Sequence, residues 1–398
     1  MSPSPLARRA AAFRESVIRE MTRLGDEAGA VNLSQGLPDF APPPEVLEAA
    51  VAAIRAGDNQ YTFPFGSLQF REAIARKSLQ VNGIPADPAT EITVTCGVSE
   101  AMMAAILALT EAGDEVVIFE PWYENYVPDC LMAGARPRFV PLAPPEYRIE
   151  AAALARAITP RTRLVILNTP HNPTGRVFSR EELEVVAGIC RRHGLIAVTD
   201  EIYEHIVYDG ARHVSLGSLD GMGERTVTIS GLGKTYAVTG WRVGWTVAPE
   251  ALSAEIRKVH DYLTICAPAP FQAAGVAALA LPDAYYAGMR REYAARRDIL
   301  LPALARAGFS FRRPEGAYYV MADFSTIRWP GPREGAAADR AFAEYLAVQI
   351  GVAVVPGGSF YERAEDGSRY VRFNFAKEAA TLREAAARLA RLDAGAAR

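Results

Sequence analysis

Short apolar runs alternate with longer helical patterns through the middle of the chain. The apolar runs predict strands, which are Glu91–Cys96, Glu115–Phe119, Arg163–Asn168, Leu195–Thr199, Thr226–Ser230 and Arg242–Val247. Helix-length segments such as Ser99–Thr110 and Arg180–His193 separate several of them, and Ser179 is a suitable N-cap for the second segment. Strands that alternate with helices predict an α/β fold, in which helices cover both faces of a mostly parallel sheet.

The pattern changes at about Pro282. A long arginine-rich helical segment is followed there by short strands and helices, namely Ala284–Ala307, Phe309–Arg313, Ala317–Asp323, Ala338–Ile350, Val352–Val355, Tyr370–Phe375 and a final helix. The proline- and glycine-containing segment Arg328–Glu334 predicts a loop. This mixture of elements predicts a second, smaller α+β domain that packs closely against the first.

The bulk composition narrows the class of partners. Of the 398 residues, 50% are hydrophobic and 22% are charged, and the net charge is −3, as in an ordinary globular protein. The chain has no basic tract and no long apolar run, so we expect no nucleic-acid partner and no membrane partner. Its four cysteines form no Cys-x-x-Cys pair and its five histidines are dispersed, which predicts a reduced, cytoplasmic setting without a metal site.

Lys234 is one of only four lysines, against 39 arginines, and it follows a predicted strand inside the glycine-rich segment Gly231–Trp245. Arginine replaces lysine as a surface charge, but its guanidinium stays protonated and forms no imine with an aldehyde. The retained lysine therefore suggests amine chemistry, such as a Schiff base. A coding bias toward arginine, with Lys234 as a remnant, is the alternative interpretation, and position alone does not separate the two.

Residues that could bind a ligand lie at the ends of the predicted strands, where ligands bind in open parallel sheets. They are Gly97, Val98 and Ser99 at a helix start, Tyr123, Tyr126, Asn168, Asn172, Asp200, Tyr203 and Lys234, with Arg242 at the start of the last strand. Together they supply an amine, a carboxylate, a phenol, an amide, an aromatic face and a phosphate-binding helix N-terminus. This inventory matches pyridoxal phosphate, whose aldehyde a lysine holds and whose ring nitrogen a buried carboxylate keeps protonated. Each group alone also has a structural explanation, such as a helix cap or a core aromatic.

Several longer motifs carry a resemblance to a known family. They are Asn32–Phe40, Gln60–Thr62 with Phe65–Gly66, Asn168–Gly175, Asp200–Gly210, Ser230–Trp245, Pro314–Tyr318 and Val371–Phe375. Over nearly its whole length the chain resembles the fold-type I, class I aminotransferases that depend on pyridoxal 5'-phosphate, near the kynurenine, glutamine, aromatic and methionine aminotransferases. The resemblance implies a homodimer. It also implies an N-terminal arm with part of the small domain (1–45), a large cofactor-binding domain (46–282) and a small C-terminal domain (283–398).

The resemblance implies a role around the cofactor ring for each matched residue. Lys234 would hold the cofactor as an imine and would move the proton at the substrate α-carbon. Asp200 would pair with the pyridine nitrogen, and Asn172 and Tyr203 would bind the ring oxygen. Tyr123 would stack on the ring, with its neighbour Trp122 as the alternative.

Further residues would hold the phosphate and the substrate. The phosphate would be bound by Gly97, Val98, Ser99, Arg242 and, from the neighbouring subunit, Tyr61. Arg372 would bind the substrate carboxylate in a bidentate fork, with help from Asn172 and the backbone of Gly36. Many relatives carry a serine three residues before the lysine, where this chain has Gly231, so we do not expect Ser230 to bind the phosphate directly.

The expected activity is transamination of an L-amino acid by a ping-pong cycle, with 2-oxoglutarate as the acceptor. The matched motifs contain no second carboxylate-binding arginine, which favours an aromatic or thioether side chain on the donor. A β-lyase or cyclase of cysteine-conjugate or aminocyclopropane-carboxylate type is the alternative, because it would use the same Lys234, Asp200 and Arg372. A regulatory module that binds the cofactor without turnover is a further alternative from a different class.

Overall fold

The computed structural model describes residues 7, 9–332, 335 and 337–395. The helix α1 (Val17–Glu27) begins after Ser16, whose hydroxyl accepts a hydrogen bond from the backbone N–H of Arg19. Ile18 and Met21 of this helix are buried. The chain continues through β1 (Val31–Asn32), α2 (Pro44–Ala56) and α3 (Leu68–Lys77), followed by a π-helical turn at Ser78–Asn82.

A seven-stranded sheet forms the centre of the molecule. Its strands are β2 (Ile92–Thr95), β3 (Glu115–Glu120), β4 (Arg136–Pro141), β5 (Thr162–Asn168), β6 (Ile196–Asp200), β7 (Thr226–Gly231) and β8 (Gly244–Val247). The spatial order is β2-β8-β7-β6-β5-β3-β4, in which β8 is antiparallel to both neighbours and the remaining pairs are parallel. The predicted α/β class is therefore confirmed.

Two details of the sheet differ from the sequence prediction. β8 begins at Gly244 rather than at Arg242, because Arg242 has φ 55° and this left-handed conformation cannot continue a strand. β4 was not predicted. Its two prolines and exposed arginines are unsuited to a central strand, but they are tolerated at the sheet edge, where β4 lies.

Helices cover both faces of this sheet. They are α4 (Val98–Leu109), α5 (Tyr126–Ala133), α6 (Ala151–Ala157), α7 (Arg180–His193), α8 (Leu232–Thr235), α9 (Glu250–Thr264) and α10 (Ala269–Leu279). Successive side chains of β3 point to opposite faces of the sheet. Val117 packs in the core cluster that contains residues of α7, and Val116 packs in the cluster that contains residues of α4. Short 3₁₀ turns occur at Ala10–Ala12, Leu216–Ser218, Thr239–Trp241 and Gly357–Phe360.

The C-terminal part of the chain combines helices with a second, smaller sheet. The elements of this part are α11 (Asp283–Arg306), β9 (Ser310–Phe311), β10 (Tyr319–Asp323), α12 (Ala338–Tyr345), a π-helical turn (Leu346–Ile350), β11 (Val352–Ala353), β12 (Val355–Pro356), α13 (Ala364–Gly367), β13 (Tyr370–Asn374) and α14 (Ala379–Gly395). Four strands form an antiparallel sheet in the order β12-β13-β10-β9. The predicted single strand Val352–Val355 is wrong, because β11 pairs with β1 while β12 pairs with β13.

The predicted loop Arg328–Glu334 has no regular element over 328–332, and its last two residues lie outside the described ones. Within the described part of the chain, no helix is both long enough and apolar enough to cross a bilayer.

Candidate active site

One cavity of about 460 Å³ lies at the edge of the large sheet where the parallel strands end. All of the predicted site residues except Tyr61 line it, namely Gly36, Gly97, Val98, Ser99, Tyr123, Asn172, Asp200, Tyr203, Lys234, Arg242 and Arg372. They meet because β2, β3, β5, β6 and β7 end at this edge, while the antiparallel β8 begins there.

Lys234 follows β7 on the short helix α8, and its Nζ donates to the backbone oxygen of Gly36 at 2.8 Å. Burial, together with the nearby Arg372 guanidinium, lowers the pKa of Lys234 to about 8. An amine is nucleophilic only when it is unprotonated. These surroundings therefore increase the reactive fraction of Lys234 at neutral pH.

Asp200 is the last residue of β6 and is buried. Its Oδ2 accepts a hydrogen bond from Tyr126 Oη at 2.8 Å, and its Oδ1 accepts one from the backbone N–H of Ile202 at 3.2 Å. Burial raises the pKa of Asp200 to about 6, although the bond from Tyr126 opposes the shift. A buried carboxylate of this kind is best stabilised by a cationic partner, and a protonated pyridine nitrogen is one.

Tyr203 Oη lies 2.9 Å from Tyr319 Oη, and both phenols line the cavity. The adjacent Tyr318 instead donates to the backbone oxygen of Gly36 at 3.0 Å. A Cβ on Gly36 would lie 1.8 Å from Tyr319 Oη, so only glycine leaves room for that hydroxyl. The backbone oxygen of Gly36 thus accepts a hydrogen bond from Lys234, and the absence of a side chain at Gly36 leaves room for the Tyr319 hydroxyl.

Gly97 and the start of α4 form a cradle for an anion. Gly97 has φ 82°, and a Cβ at this position would lie 2.5 Å from Arg242 Nη2. No side chain among the described residues caps α4, so the N–H groups of Val98 and Ser99 are available to a ligand. The Arg242 guanidinium adds a positive charge, and the cradle therefore fits a phosphate group.

Ser230 does not line the cavity, because its hydroxyl donates to Glu204 Oε1 at 2.6 Å in the buried interior. At the next position, a Cβ on Gly231 would lie 2.8 Å from the backbone oxygen of Val243. The close approach of β8 therefore leaves no room for a serine at 231. The expectation that Ser230 makes no direct phosphate contact agrees with this placement.

Three side chains with metal-ligand character lie in the same interior region. Single ligand atoms of Glu201, Glu204 and His213 are all within 4.8 Å of one another. However, the ammonium of Lys77 contacts Glu204, and Asn82 Nδ2 donates to Glu204 Oε2 at 2.7 Å. Because the lysine already neutralises this carboxylate, we interpret the group as a buried ion-pair network.

Arg372 reaches the cavity from β13 and is 1% exposed. Its Nη1 donates to Asn172 Oδ1 at 2.9 Å, and its Nη2 donates to the backbone oxygen of Ser34 at 2.7 Å. Its Nε has no hydrogen-bond partner among the described residues. A buried guanidinium that has an unsatisfied N–H, and no carboxylate paired with it in the described part of the chain, fits a carboxylate ligand.

The structure distinguishes the candidate aromatic residues. Tyr123 lines the cavity, whereas Trp122 does not and stacks on Phe139 with 4.6 Å between the ring centroids. Of the two, Tyr123 is therefore placed to cover a ligand ring. Tyr61 lies outside this cavity and is 77% exposed, so the structure does not bring it to the site of its own chain.

The cavity also contains residues to which the sequence assigned no role, among them Tyr126, Tyr319 and Arg19. Tyr126 is among the strand-end residues that the sequence singles out, but only the fold shows its hydrogen bond to Asp200. Tyr319 directly follows a matched motif. Arg19 lies on α1, far in sequence from the residues that follow the strands, and no local pattern marks it.

These observations fit pyridoxal phosphate in several independent ways. The amine of Lys234 has a lowered pKa, and Asp200 is a buried carboxylate beside it. Gly97 leaves room for an anion beside Arg242, and Arg372 retains an unsatisfied N–H. An aldehyde, a ring nitrogen, a phosphate and a substrate carboxylate would each meet a suitable group.

Comparison with known proteins gives the family. The family described as aminotransferase class I and II matches residues 28–389. The solved N-succinyldiaminopimelate aminotransferase from Mycobacterium tuberculosis is 42% identical, with a TM-score of 0.93 over 98% of this chain and 100% of that one. Kynurenine–oxoglutarate transaminase 1 of Mus musculus is 36% identical over 96% of each chain. Methionine aminotransferase of Escherichia coli K12 is 37% identical over 95% of this chain and 96% of that one. The chain therefore belongs to the class I and II aminotransferase family and is a class I aminotransferase that depends on pyridoxal 5'-phosphate.

Proposed function

We propose that the enzyme transfers the amino group of an L-amino acid to 2-oxoglutarate by a ping-pong cycle. The observation that carries the proposal is the meeting of Lys234, Asp200 and Arg372 in one cavity. These residues supply a reactive amine, a carboxylate for a ring nitrogen and a clamp for a substrate carboxylate. A transamination needs all three groups at one site.

Bound pyridoxal phosphate supplies an electron sink for the negative charge that develops at the substrate α-carbon. Arg372 holds the substrate carboxylate. Asn172 accepts from Arg372 through Oδ1, which leaves its amide N–H₂ as a donor for the ring oxygen, next to Tyr203. Asp200 keeps the ring nitrogen protonated. Lys234 removes and returns the α-proton, because its lowered pKa suits a base near neutral pH.

Arg19 supports a dicarboxylic acceptor. It lies on α1 at the exposed mouth of the cavity, while Arg372 lies deep within it. Two cations in one cavity suit an acid with a carboxylate at each end, such as 2-oxoglutarate. Arg19→Ala should raise the KM for 2-oxoglutarate about tenfold, the loss expected for one charged hydrogen bond, and should leave the KM for pyruvate unchanged. Arg14→Ala is a matched control outside the cavity, and an equal effect on both acceptors would contradict this assignment.

For the donor we propose an aromatic or thioether side chain. The matched motifs contain no second carboxylate-binding arginine, but the cavity contains Arg19, so that absence no longer argues for such a donor. The proposal now depends on the apolar residues Ile18 and Leu37, which line the same cavity and can cover a large apolar side chain. The kynurenine and methionine aminotransferase relatives are named for such donors, whereas the more similar N-succinyldiaminopimelate aminotransferase is named for a different one.

We also propose a homodimer in which Tyr61 reaches the phosphate site of the neighbouring subunit. Tyr61, Phe63, Leu68 and Tyr262 are all exposed, and large apolar side chains on a surface support an interface between copies. Tyr61→Phe should weaken cofactor binding about tenfold through the loss of one hydrogen bond to a charged group. Light scattering should give the mass of a dimer, and a monomer that binds the cofactor normally would contradict the proposal.

A reduced, cytoplasmic setting completes the proposal. All four cysteines are unpaired in the structure, and this supports a compartment in which thiols remain reduced. Fractionation of the source cells with an antibody against the chain tests it, and recovery in an oxidising compartment would contradict it.

A panel of amino donors tests the activity. Each donor is added to the holoenzyme without an acceptor, and the visible absorbance of the cofactor is followed. We expect aromatic and thioether donors to convert it, and 2-oxoglutarate to restore it, with parallel double-reciprocal plots as ping-pong kinetics require. No conversion by any donor would refute transamination, and release of ammonia and pyruvate without an acceptor would instead indicate a β-lyase.

A further inference from the structure

Tyr319 contacts two functional residues of the cavity at once. It begins β10, and its hydroxyl lies 2.9 Å from that of Tyr203. The face of its ring lies 4.4 Å from the guanidinium carbon of Arg372. Tyr319 is 2% exposed, so this geometry is set by packing. The residue thus joins the predicted binder of the cofactor ring oxygen to the predicted clamp of the substrate carboxylate.

The number of protons in this contact matters for Tyr203. A phenol has one O–H to donate. If Tyr203 donates that proton to Tyr319, it has none left for a ligand in the cavity. If Tyr319 donates instead, the Tyr203 proton remains available, and the Tyr203 oxygen is held in place by the bond that it accepts.

The charge of Arg372 favours the second arrangement. A cation over the face of the Tyr319 ring stabilises negative charge on that phenol. Burial raises the pKa of both phenols, but the Arg372 guanidinium opposes the rise at Tyr319. Tyr319 is therefore the more acidic phenol and the better donor of the pair. The missing side chain at Gly36 leaves the space in which its hydroxyl lies.

We propose that Tyr319 is a positioning residue that donates its phenolic proton to Tyr203 Oη and thereby directs the Tyr203 proton to the ring oxygen of the cofactor. The inference rests on the proposed function of Tyr203. The Tyr319 hydroxyl acts through Tyr203, whereas the Tyr319 ring separately supports Arg372.

Tyr319→Phe tests the hydroxyl, since phenylalanine keeps the ring beneath Arg372. The readout is the pH titration of the visible absorbance of the bound cofactor. A weaker Tyr203 donor stabilises the anionic ring oxygen less, so the midpoint should rise by about 0.4–1 pH unit, as expected for one neutral hydrogen bond. The kcat should fall while the KM for the amino donor stays within about twofold, because Arg372 keeps its support.

Tyr286→Phe is the matched control. Its hydroxyl pairs with that of Tyr236 at 2.8 Å, and neither residue lines the cavity. Tyr286→Phe also removes one phenol–phenol hydrogen bond, but it should leave the midpoint of the cofactor titration unchanged. In a Tyr203→Phe background, Tyr319→Phe should cause no further shift, because its effect passes through Tyr203.

Three results would overturn the proposal. One is an unchanged midpoint in folded Tyr319→Phe, and another is an equal shift with and without Tyr203. The third is loss of more than about 100-fold in cofactor affinity with normal folding, since that exceeds one neutral hydrogen bond and would indicate a direct contact. The cofactor titration needs no turnover, so a failed transamination assay is distinguishable from a failure of this inference.

Discussion

Replacing Asp200 with asparagine should stabilise the cofactor-free protein at alkaline pH, although it should abolish turnover. In the folded chain, burial raises the pKa of Asp200 from 3.8 to about 6. A carboxyl group with a raised pKa binds its proton more tightly in the folded state than in the unfolded state. Its contribution to stability is therefore complete below pH 3.8 and is lost as the pH rises through 6.

The size of the effect follows from the same shift. At 1.36 kcal/mol per unit, a shift of about two units makes ionised Asp200 cost roughly 3 kcal/mol at pH 8 and about half as much at pH 5. Asparagine removes the charge but accepts through one oxygen only, whereas the carboxylate accepts from Tyr126 and from the backbone of Ile202. Losing one such bond costs about 1 kcal/mol, so the net gain at pH 8 should be about 2 kcal/mol.

Urea unfolding of the cofactor-free wild type and variant, at equal protein concentration and at pH 8 and pH 5, measures the gain. Asp209→Asn is the control, because hydrogen bonds from Arg297 and Arg313 lower the pKa of Asp209 and removal of its charge should not stabilise the fold. The reasoning is refuted if Asp200→Asn is no more stable than the wild type at pH 8, or if the gain is the same at both pH values.

Three further substitutions test the rest of the site. Lys234→Ala should abolish both the visible absorbance of the bound cofactor and turnover, and a retained band would mean that another amine holds the cofactor. Arg372→Lys should raise the KM for the amino donor by about 10- to 100-fold, because a single ammonium replaces a bidentate fork; steady-state kinetics measure this, and an unchanged KM would exclude Arg372 as the clamp. In Gly231→Ser, the new Cβ would lie 2.8 Å from the backbone oxygen of Val243, the residue next to Arg242. The backbone must shift there, so cofactor binding in equilibrium dialysis should weaken by roughly tenfold, the loss expected when one charged phosphate contact is displaced. Tighter binding would show that the serine reaches the phosphate.

Local patterns predicted six of the seven strands of the large sheet, because strands covered on both faces are short, continuous apolar runs. The same reasoning failed where pairing joins remote segments. Val31 pairs with Val352, and this contact splits an apolar run that looked like one strand. It also missed the edge strand β4, whose prolines and arginines contradict the pattern of a buried strand.

The residues of the candidate site that follow predicted strands could be identified from the sequence. Lys234 and Asp200 each follow a recognisable strand, and the topology of a parallel sheet brings such ends together. Tyr319 and Arg19 could not be assigned in this way, because their place in the cavity depends on how α1 and the second sheet pack against the first.

The sequence by itself determined the α/β class, the family and the residue types that match pyridoxal phosphate, because periodicity and motif spacing are local properties of the chain. Only the tertiary structure decided that Ser230 bonds to Glu204 and that Tyr319 meets Tyr203. Such contacts join residues distant in sequence, and their geometry depends on close packing, in which a single methyl group is enough to exclude a neighbour.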